Sequence, residues 1–285
     1  MSDGSIEEPE LTAADVLCVT DDYFEGSNVA IATGGASGIG RATAVALAMN
    51  GLTTVATDVD AEGLEGTIAK ASELDAPGEI HAVEADLTSD DDLESIVEAA
   101  ADLGEIKYLA NVAGLQHVAP IEEFPMDTYD AMHAVMLRAP LYLSKLCVPH
   151  IRESEDGVGA IGNMSSIHGH YVTKDKVAYN VMKFGLRGLT QSIAAEGDGT
   201  LRSFSVSTAY VKTPLVVDQI ADTAQERDIT EREVVEDVML GQSRVTEMMD
   251  PVDVANLFVL GFSQYGRHLD GGDLLFDGGY TLTYE

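Results

Sequence analysis

The sequence predicts an α/β fold, a doubly wound parallel sheet in a single domain, and three observations lead there. From Asn28 onward, apolar strand-like runs alternate with segments of helical period. A glycine-rich turn, Thr33 to Gly40, separates the first such strand from the first such helix. Hydrophobic residues make up 45% of the 285, enough to cover both faces of a buried sheet and to set aside general disorder.

Residues 1 to 26 carry eight acids and no base, so they read as an acidic N-terminal extension, with a short helix expected around 13 to 19. The domain proper is expected over 27 to 285. Strands fall at 29 to 33, 53 to 58, 80 to 84, 108 to 112, 158 to 164, 203 to 207 and 274 to 276, each a short apolar or β-branched run. Segments of helical period fall at 38 to 50, 61 to 74, 90 to 102, 127 to 153, 177 to 196 and 251 to 263. Strand, helix and strand in succession demand right-handed crossovers, which stack helices on both faces of a parallel sheet. Residues 214 to 245 break the alternation with an acid-rich helical pattern. They follow a strand's carboxyl end, where open α/β sheets bind ligands, and so mark a candidate substrate lid.

Against 49 Asp and Glu stand only 16 Lys and Arg, a formal net charge of −33. No basic run exists to neutralise phosphates, so nucleic acid and anionic membranes are not expected partners. No stretch of apolar residues is long enough to span a bilayer, and the acidic N-terminus lacks a signal peptide's pattern, so a soluble cytoplasmic protein is expected. Cys18 and Cys147 form neither a metal-ligand spacing nor a disulfide framework. The acids are scattered through every expected helix and loop, so the charge belongs to the whole surface. Such a surface repels itself unless salt screens it, which points to a high-salt cytoplasm.

The turn Thr33-Gly34-Gly35-Ala36-Ser37-Gly38-Ile39-Gly40 opens the first helix. Glycines there allow backbone amides to approach a pyrophosphate at the helix N-terminus. About twenty residues on, Asp58 ends the second strand, where a carboxylate accepts bonds from both adenosine ribose hydroxyls and repels a 2′-phosphate. Arg41 is the only base near either motif, so NAD is expected over NADP. Asp86 with Leu87 is placed to meet the adenine. Asn111, Ala113 and Gly114 end the fourth strand with space for the cofactor to lie against the sheet.

Lys176, Tyr179 and Lys183 recur at helical spacing and share one face, with Ser166 and His168 upstream. A phenol is a poor base at neutral pH unless a neighbouring cation stabilises its anion, and Lys183 sits one turn from Tyr179.

With these motifs the chain resembles the short-chain dehydrogenase/reductase family over nearly all of residues 28 to 280. The resemblance rests on Thr33-Gly34, Gly38, Gly40, Asn111, Ala113-Gly114, Ser166, Tyr179 and Lys183. It implies a Rossmann fold and hydride transfer with a nicotinamide cofactor. Tyr179 would be the acid/base, Lys183 would hold the ribose and lower the Tyr pKa, and Ser166 would orient the reacting oxygen. The segment with Val211 and Thr213 would hold the carboxamide. The chain departs from the pattern at three motifs. Met136 stands where a catalytic Asn is implied, Val112 replaces a second Asn, and Thr208-Ala209 replaces Pro-Gly.

The run Leu115 to Pro125, with Ser166-Ile167-His168-Gly169, Lys176 and Thr213-Pro214-Leu215-Val216, is similar to bacterial 3-hydroxybutyrate dehydrogenases. That likeness implies Gln116, His168, Lys176 and Gln219 around a substrate carboxylate, and Tyr210 and Tyr280 in place of wall tryptophans. It implies reversible oxidation of (R)-3-hydroxybutyrate or a similar short 3-hydroxy acid by a homotetramer joined through the helices at 127 to 153 and 177 to 196. Two alternatives stand beside it: a dehydrogenase of sugars, polyols or other secondary alcohols, and a non-catalytic cofactor-binding protein, the latter motivated by Met136.

The charge generates the first prediction. The thermal midpoint rises between about 0.1 M and about 3 M KCl as repulsion is screened. Greater stability at the lower salt would contradict the high-salt reading.

Overall fold

The computed structural model describes residues 9 to 282, so the first eight residues of the acidic extension and the last three of the chain lie outside the described residues. Seven strands form one parallel sheet: β1 (Asn28–Thr33), β2 (Thr53–Asp58), β3 (Ile80–Glu84), β4 (Glu105–Asn111), β5 (Gly159–Met164), β6 (Leu201–Thr208) and β7 (Asp273–Phe276). Their order across the sheet is β3-β2-β1-β4-β5-β6-β7. The chain winds outward from β1 to β3, returns to β4 on the other side of β1, and winds outward again. Ala30 therefore faces Thr54 on one neighbour and Tyr108 on the other. Every residue of β1, β5 and β6 is buried, and the serines that alternate along β6 at 203, 205 and 207 hydrogen-bond to Ile161 and Asp273 inside the protein.

The flanking helices are α1 (Gly38–Met49), α2 (Ala61–Glu73), α3 (Asp90–Leu103), α4 (Met126–His133), α5 (Ala139–Glu153), α6 (Val177–Glu196), α7 (Pro214–Arg227), α8 (Glu231–Glu233) and α9 (Pro251–Phe262). On one face α1 and α9 bury Leu47, Phe258 and Phe262 against Phe204 of β6. The Phe204 and Phe262 rings meet edge to face at 5.3 Å. On the other face Leu93, Ile96, Leu143 and Ile151 of α3 and α5 cover Ile31, Leu109 and Ile161. Each fully buried side chain of this size contributes on the order of 2 kcal/mol.

Two expectations change. The helix expected around 13 to 19 is absent. Thr12 and Asp15 close a single turn, and the chain then runs as a strap whose backbone is bonded by two asparagines. Asn256 takes the Leu17 amide at 2.8 Å and Asn50 the Val19 amide at 2.9 Å. These forks supply bonds that a helix would make internally, and Val16 and Phe24 are buried in the main core. The helix expected over 127 to 153 is interrupted by a π turn, Ala134–Arg138, between α4 and α5. Pro140 is the physical reason. It has no N–H for the carbonyl of Met136 four residues earlier, and its ring crowds that carbonyl.

Residues 214 to 245 form α7, α8 and a second π turn, Val234–Met239, around their own small core of Ile220, Val234, Met239 and Leu240. Among the described residues no helix is long and apolar enough to cross a membrane. Cys147 is buried and Cys18 exposed, and neither is in a disulfide.

Several of the scarce cations are used inside the fold. Lys107 is buried beside Asp156 and Ser154. Arg202, also buried, donates to the carbonyls of Gly261, Phe262 and Gly266 at 2.9 to 3.0 Å, closing the end of α9. Arg202→Met removes the side-chain donors from the Gly261 and Phe262 carbonyls and leaves Gly266 only the Leu269 amide. A loss on the order of 3 kcal/mol is expected in denaturant unfolding at high salt, and an unchanged midpoint would contradict this role.

Candidate active site

A cleft of about 390 Å³ opens at the carboxyl edge of the sheet, where β1 and β4 lead in opposite directions. Its floor is the turn before α1. Gly34 has φ +71°, and a Cβ there would lie 3.0 Å from Cα of Ala113. At Gly40 a Cβ would meet the Gly34 carbonyl oxygen at 1.9 Å. Ser37 precedes α1 without capping it through its side chain, so the first amides of the helix remain available to an anion. Thr33 acts beneath this floor. Its Oγ1 accepts from the Val112 and Ala113 amides at 2.9 and 3.1 Å, joining the ends of β1 and β4.

Asp58 lines the cleft, its carboxylate accepting from the Ala36 and Asp60 amides at 3.2 Å each. Arg41, the base that the sequence places beside the turn, is committed elsewhere. Its guanidinium bonds the carbonyls of Ala36 and Gly63 and the Thr67 hydroxyl, bracing α1 against α2. Asp86 and Leu87 also line the cleft, and Asp86 accepts from the Thr88 amide and hydroxyl, both at 2.8 Å.

At the other end, Ser166 starts a tight turn, Ile167–Gly169, its hydroxyl accepting from the His168 amide at 3.2 Å. Tyr179 and Lys183 project from α6 into the cleft. Lys183 is only 3% exposed, and its Nζ donates to the Met164 carbonyl at 2.7 Å and lies 5.3 Å from the Tyr179 ring centroid. Burial pushes its pKa down to about 7. Burial raises the Tyr179 pKa, opposed by a hydrogen bond with Ser166. The sequence pattern assigns that opposition to Lys183, and in the structure Ser166 supplies it.

His168 is buried with its Nδ1 3.3 Å from the Ser166 hydroxyl and its Nε2 3.1 Å from that of Thr173. Burial, then the charges of Lys176 and Lys183, push its pKa down to about 4, so it is neutral near pH 7. Burial also lowers the Lys176 pKa.

The structure thus brings Gly34, Ser37, Gly38, Ile39, Gly40, Asp58, Asp86, Leu87, Ala113, Gly114, Gln116, Ser166, Tyr179, Lys183, Val211 and Thr213 into the cleft wall. His168, Lys176 and Tyr210 are outside that wall, and Lys176, expected on the helix face of Tyr179, is instead the non-helical residue that precedes α6. The His168 ring meets Tyr179 edge-on at 5.6 Å, and Tyr210 packs at 6.2 Å from Tyr280. Besides Thr33, which lies beneath the floor, two residues expected in the cleft are placed elsewhere. Asn111 turns into the sheet and donates to Asn163 at 2.9 Å, and Gln219, on α7, is not brought to the cleft wall. Sequence reasoning misses Val135 and Met164 in the wall, and Tyr171, which stacks between His168 at 5.5 Å and Tyr280 at 6.0 Å. Only tertiary packing joins those rings, so no local pattern announces them.

A glycine-turn floor, a carboxylate at the end of β2 and a Ser, Tyr and Lys cluster in one cleft fit the class of nicotinamide-dependent oxidoreductases. The short chain dehydrogenase family matches residues 28–224, and the chain belongs to it. Across 257 residues it is 32% identical to the D-beta-hydroxybutyrate dehydrogenase of Rhizobium meliloti, covering 90% of this chain and 99% of that one. It is 30% identical over 274 residues to the D-threitol dehydrogenase of Mycolicibacterium smegmatis, covering 95% and 100%. The crystal structure of levodione reductase superposes with a TM-score of 0.84 at 26% identity, covering 91% of this chain and all of that one.

Neutral His168 generates a prediction about acid stability. Its folded pKa, about 4, lies below the ordinary 6.5, so the unfolded chain binds the proton more readily between these values. Stability from this group is complete above 6.5 and is lost as pH falls to about 4. His168→Gln should therefore flatten the thermal midpoint against pH over that window, and parallel curves for the two proteins would contradict it.

Proposed function

We propose that this protein oxidises (R)-3-hydroxybutyrate, or a similar short 3-hydroxy acid, reversibly to the 3-oxo acid with NAD. One observation carries the choice of substrate: Lys176, three residues before Tyr179, is a half-buried cation close enough to His168 for its charge to lower that ring's pKa. In a chain of net charge −33, that is an unusual place for a positive charge without an anion to meet it. Gln116 supports the same reading, because its Nε2 is buried in the cleft wall without a partner. Asp58 favours NAD, since a 2′-phosphate would meet its carboxylate and the guanidinium of Arg41 is already taken up by backbone carbonyls.

When bound, the nicotinamide supplies the hydride acceptor. Ser166 orients the substrate hydroxyl, and Tyr179 takes its proton during oxidation and returns it during reduction. The ammonium of Lys183 lies below the ring and favours the phenolate whenever it is charged. His168, neutral and held by Ser166 and Thr173, offers a ring without a competing charge. Leu215 and Val216 of α7 border the cleft, so movement of α7 would close residues 214 to 245 over a substrate as a lid.

The working form is proposed as a cytoplasmic homotetramer adapted to high salt. Leu141 on α5 and Val181 and Phe184 on α6 are 56%, 45% and 43% exposed, an apolar surface on the two helices expected to join protomers.

A second reading, a polyol or sugar dehydrogenase, is favoured by the hydroxyl-bearing rings of Tyr171, Tyr210 and Tyr280 near the substrate end and by the likeness to D-threitol dehydrogenase. A substrate panel with NAD and NADP in high salt separates the two. With 3-hydroxybutyrate, Lys176→Ala should raise KM about tenfold or more, the worth of a charge-assisted hydrogen bond, and leave uncharged secondary alcohols unaffected. Unchanged KM for the hydroxy acid, or faster turnover of polyols than of any hydroxy acid, would overturn the proposal.

A further inference from the structure

Met136 stands where the family pattern implies an asparagine, and its surroundings show what the thioether does there. The residue is fully buried in the middle of the π turn Ala134–Arg138. It packs with Phe124, Met132, Ala178 and Met182, a cluster against which Tyr179 also rests. Its Sδ lies 3.4 Å from the Leu115 amide nitrogen, which finds no backbone carbonyl among the described residues. A Cβ added to Gly114 would come 3.8 Å from the same sulfur, an ordinary contact distance, so the thioether lies beside both Gly114 and Leu115.

We propose that Met136 is a positioning residue, its thioether accepting the Leu115 N–H and thereby fixing the Leu115–Gln116 wall of the cleft. That wall carries the buried, unpartnered Nε2 of Gln116, which a shift of the peptide would move. A thioether is a weak acceptor, but its long unbranched stem reaches across the apolar cluster to an amide that would otherwise go unmet. The π turn presents the side chain at this height. Pro140, by denying a donor to the Met136 carbonyl, favours the turn at this point in the helix. The proposal requires the oxidoreductase chemistry of the family and is independent of which alcohol or hydroxy acid is the substrate.

Met136→Leu keeps the apolar volume and removes the acceptor, and Met136→Asn restores an acceptor of a different kind. Hydrogen exchange of the peptide spanning residues 112 to 118 is the direct readout, and it needs no substrate. The Leu variant should exchange the Leu115 amide about fivefold faster or more, and the Asn variant should return to within about twofold of the natural protein. Turnover on the best substrate of the panel should split in the same way. In the Leu variant KM rises about fivefold with kcat within about twofold, and Asn restores it. A purely packing role for Met136 would lower the thermal midpoint of both variants and leave Leu115 exchange unchanged in the Leu variant, and that result would overturn the proposal. Equal loss in the Leu and Asn variants would overturn it as well. If 3-hydroxybutyrate proves not to be a substrate, the exchange result still decides the role of Met136.

Discussion

A lysine ammonium held inside the protein by a single carbonyl governs the arrangement of the reacting end of the cleft. Lys183 bonds the Met164 oxygen at the end of β5, and this links α6 to the carboxyl edge of the sheet where Ser166 begins its turn. Tyr179, one turn earlier on α6, is thereby set over the cation and beside the serine. Burying this charge is unfavourable, as its pKa, pushed down to about 7, shows, so the contact is a poor source of stability. The same use of scarce cations runs through the chain. Lys107 and Arg202 are also buried, each serving polar groups inside the fold, which leaves the surface more acidic than the net charge alone suggests.

The sheet supplies the rest of the site through one topological fact. Because β2 and β3 lie on one side of β1 and β4 to β7 on the other, the loops after β1 and β4 part at the carboxyl edge and leave a crevice. Thr33 ties those two strand ends together from below, and the glycine turn and the Val112–Gly114 segment approach each other above it. The cleft therefore has a firm floor at the cofactor end. Its substrate end is built from more varied parts: a π turn, a capped serine turn, a file of aromatic rings from Tyr179 to Tyr280, and a helical segment with its own small core.

Much of this is legible in the sequence where function depends on local pattern. Gly34, Gly38 and Gly40 announce a close backbone approach, Asp58 marks a strand end, and the spacing of Tyr179 and Lys183 places them on one helix face, whereas Lys176 precedes the helix in a non-helical conformation. What escapes depends on tertiary context. The hydroxyl of Thr33 and the amide of Asn111 are turned toward neighbouring strands, a direction that no single strand reveals. Arg41 is claimed by carbonyls from the turn and from α2. The strap before β1 looks helical in sequence because its partners, Asn50 and Asn256, are distant along the chain. One irregularity does leave a trace. Pro140 inside a long helical pattern signals a break, and its effect falls on Met136, the same residue whose identity departs from the family pattern.

Tyr179 is proposed to move the proton that accompanies hydride transfer. The measurement that tests it most directly compares Tyr179→Phe with the natural protein for formation of reduced nicotinamide from a short 3-hydroxy acid in high salt, alongside a fluorescence titration of cofactor binding. The account predicts turnover lower by about a thousandfold with the cofactor Kd within about twofold, because the phenol hydroxyl is the only group removed. Turnover within about tenfold of the natural protein would contradict it.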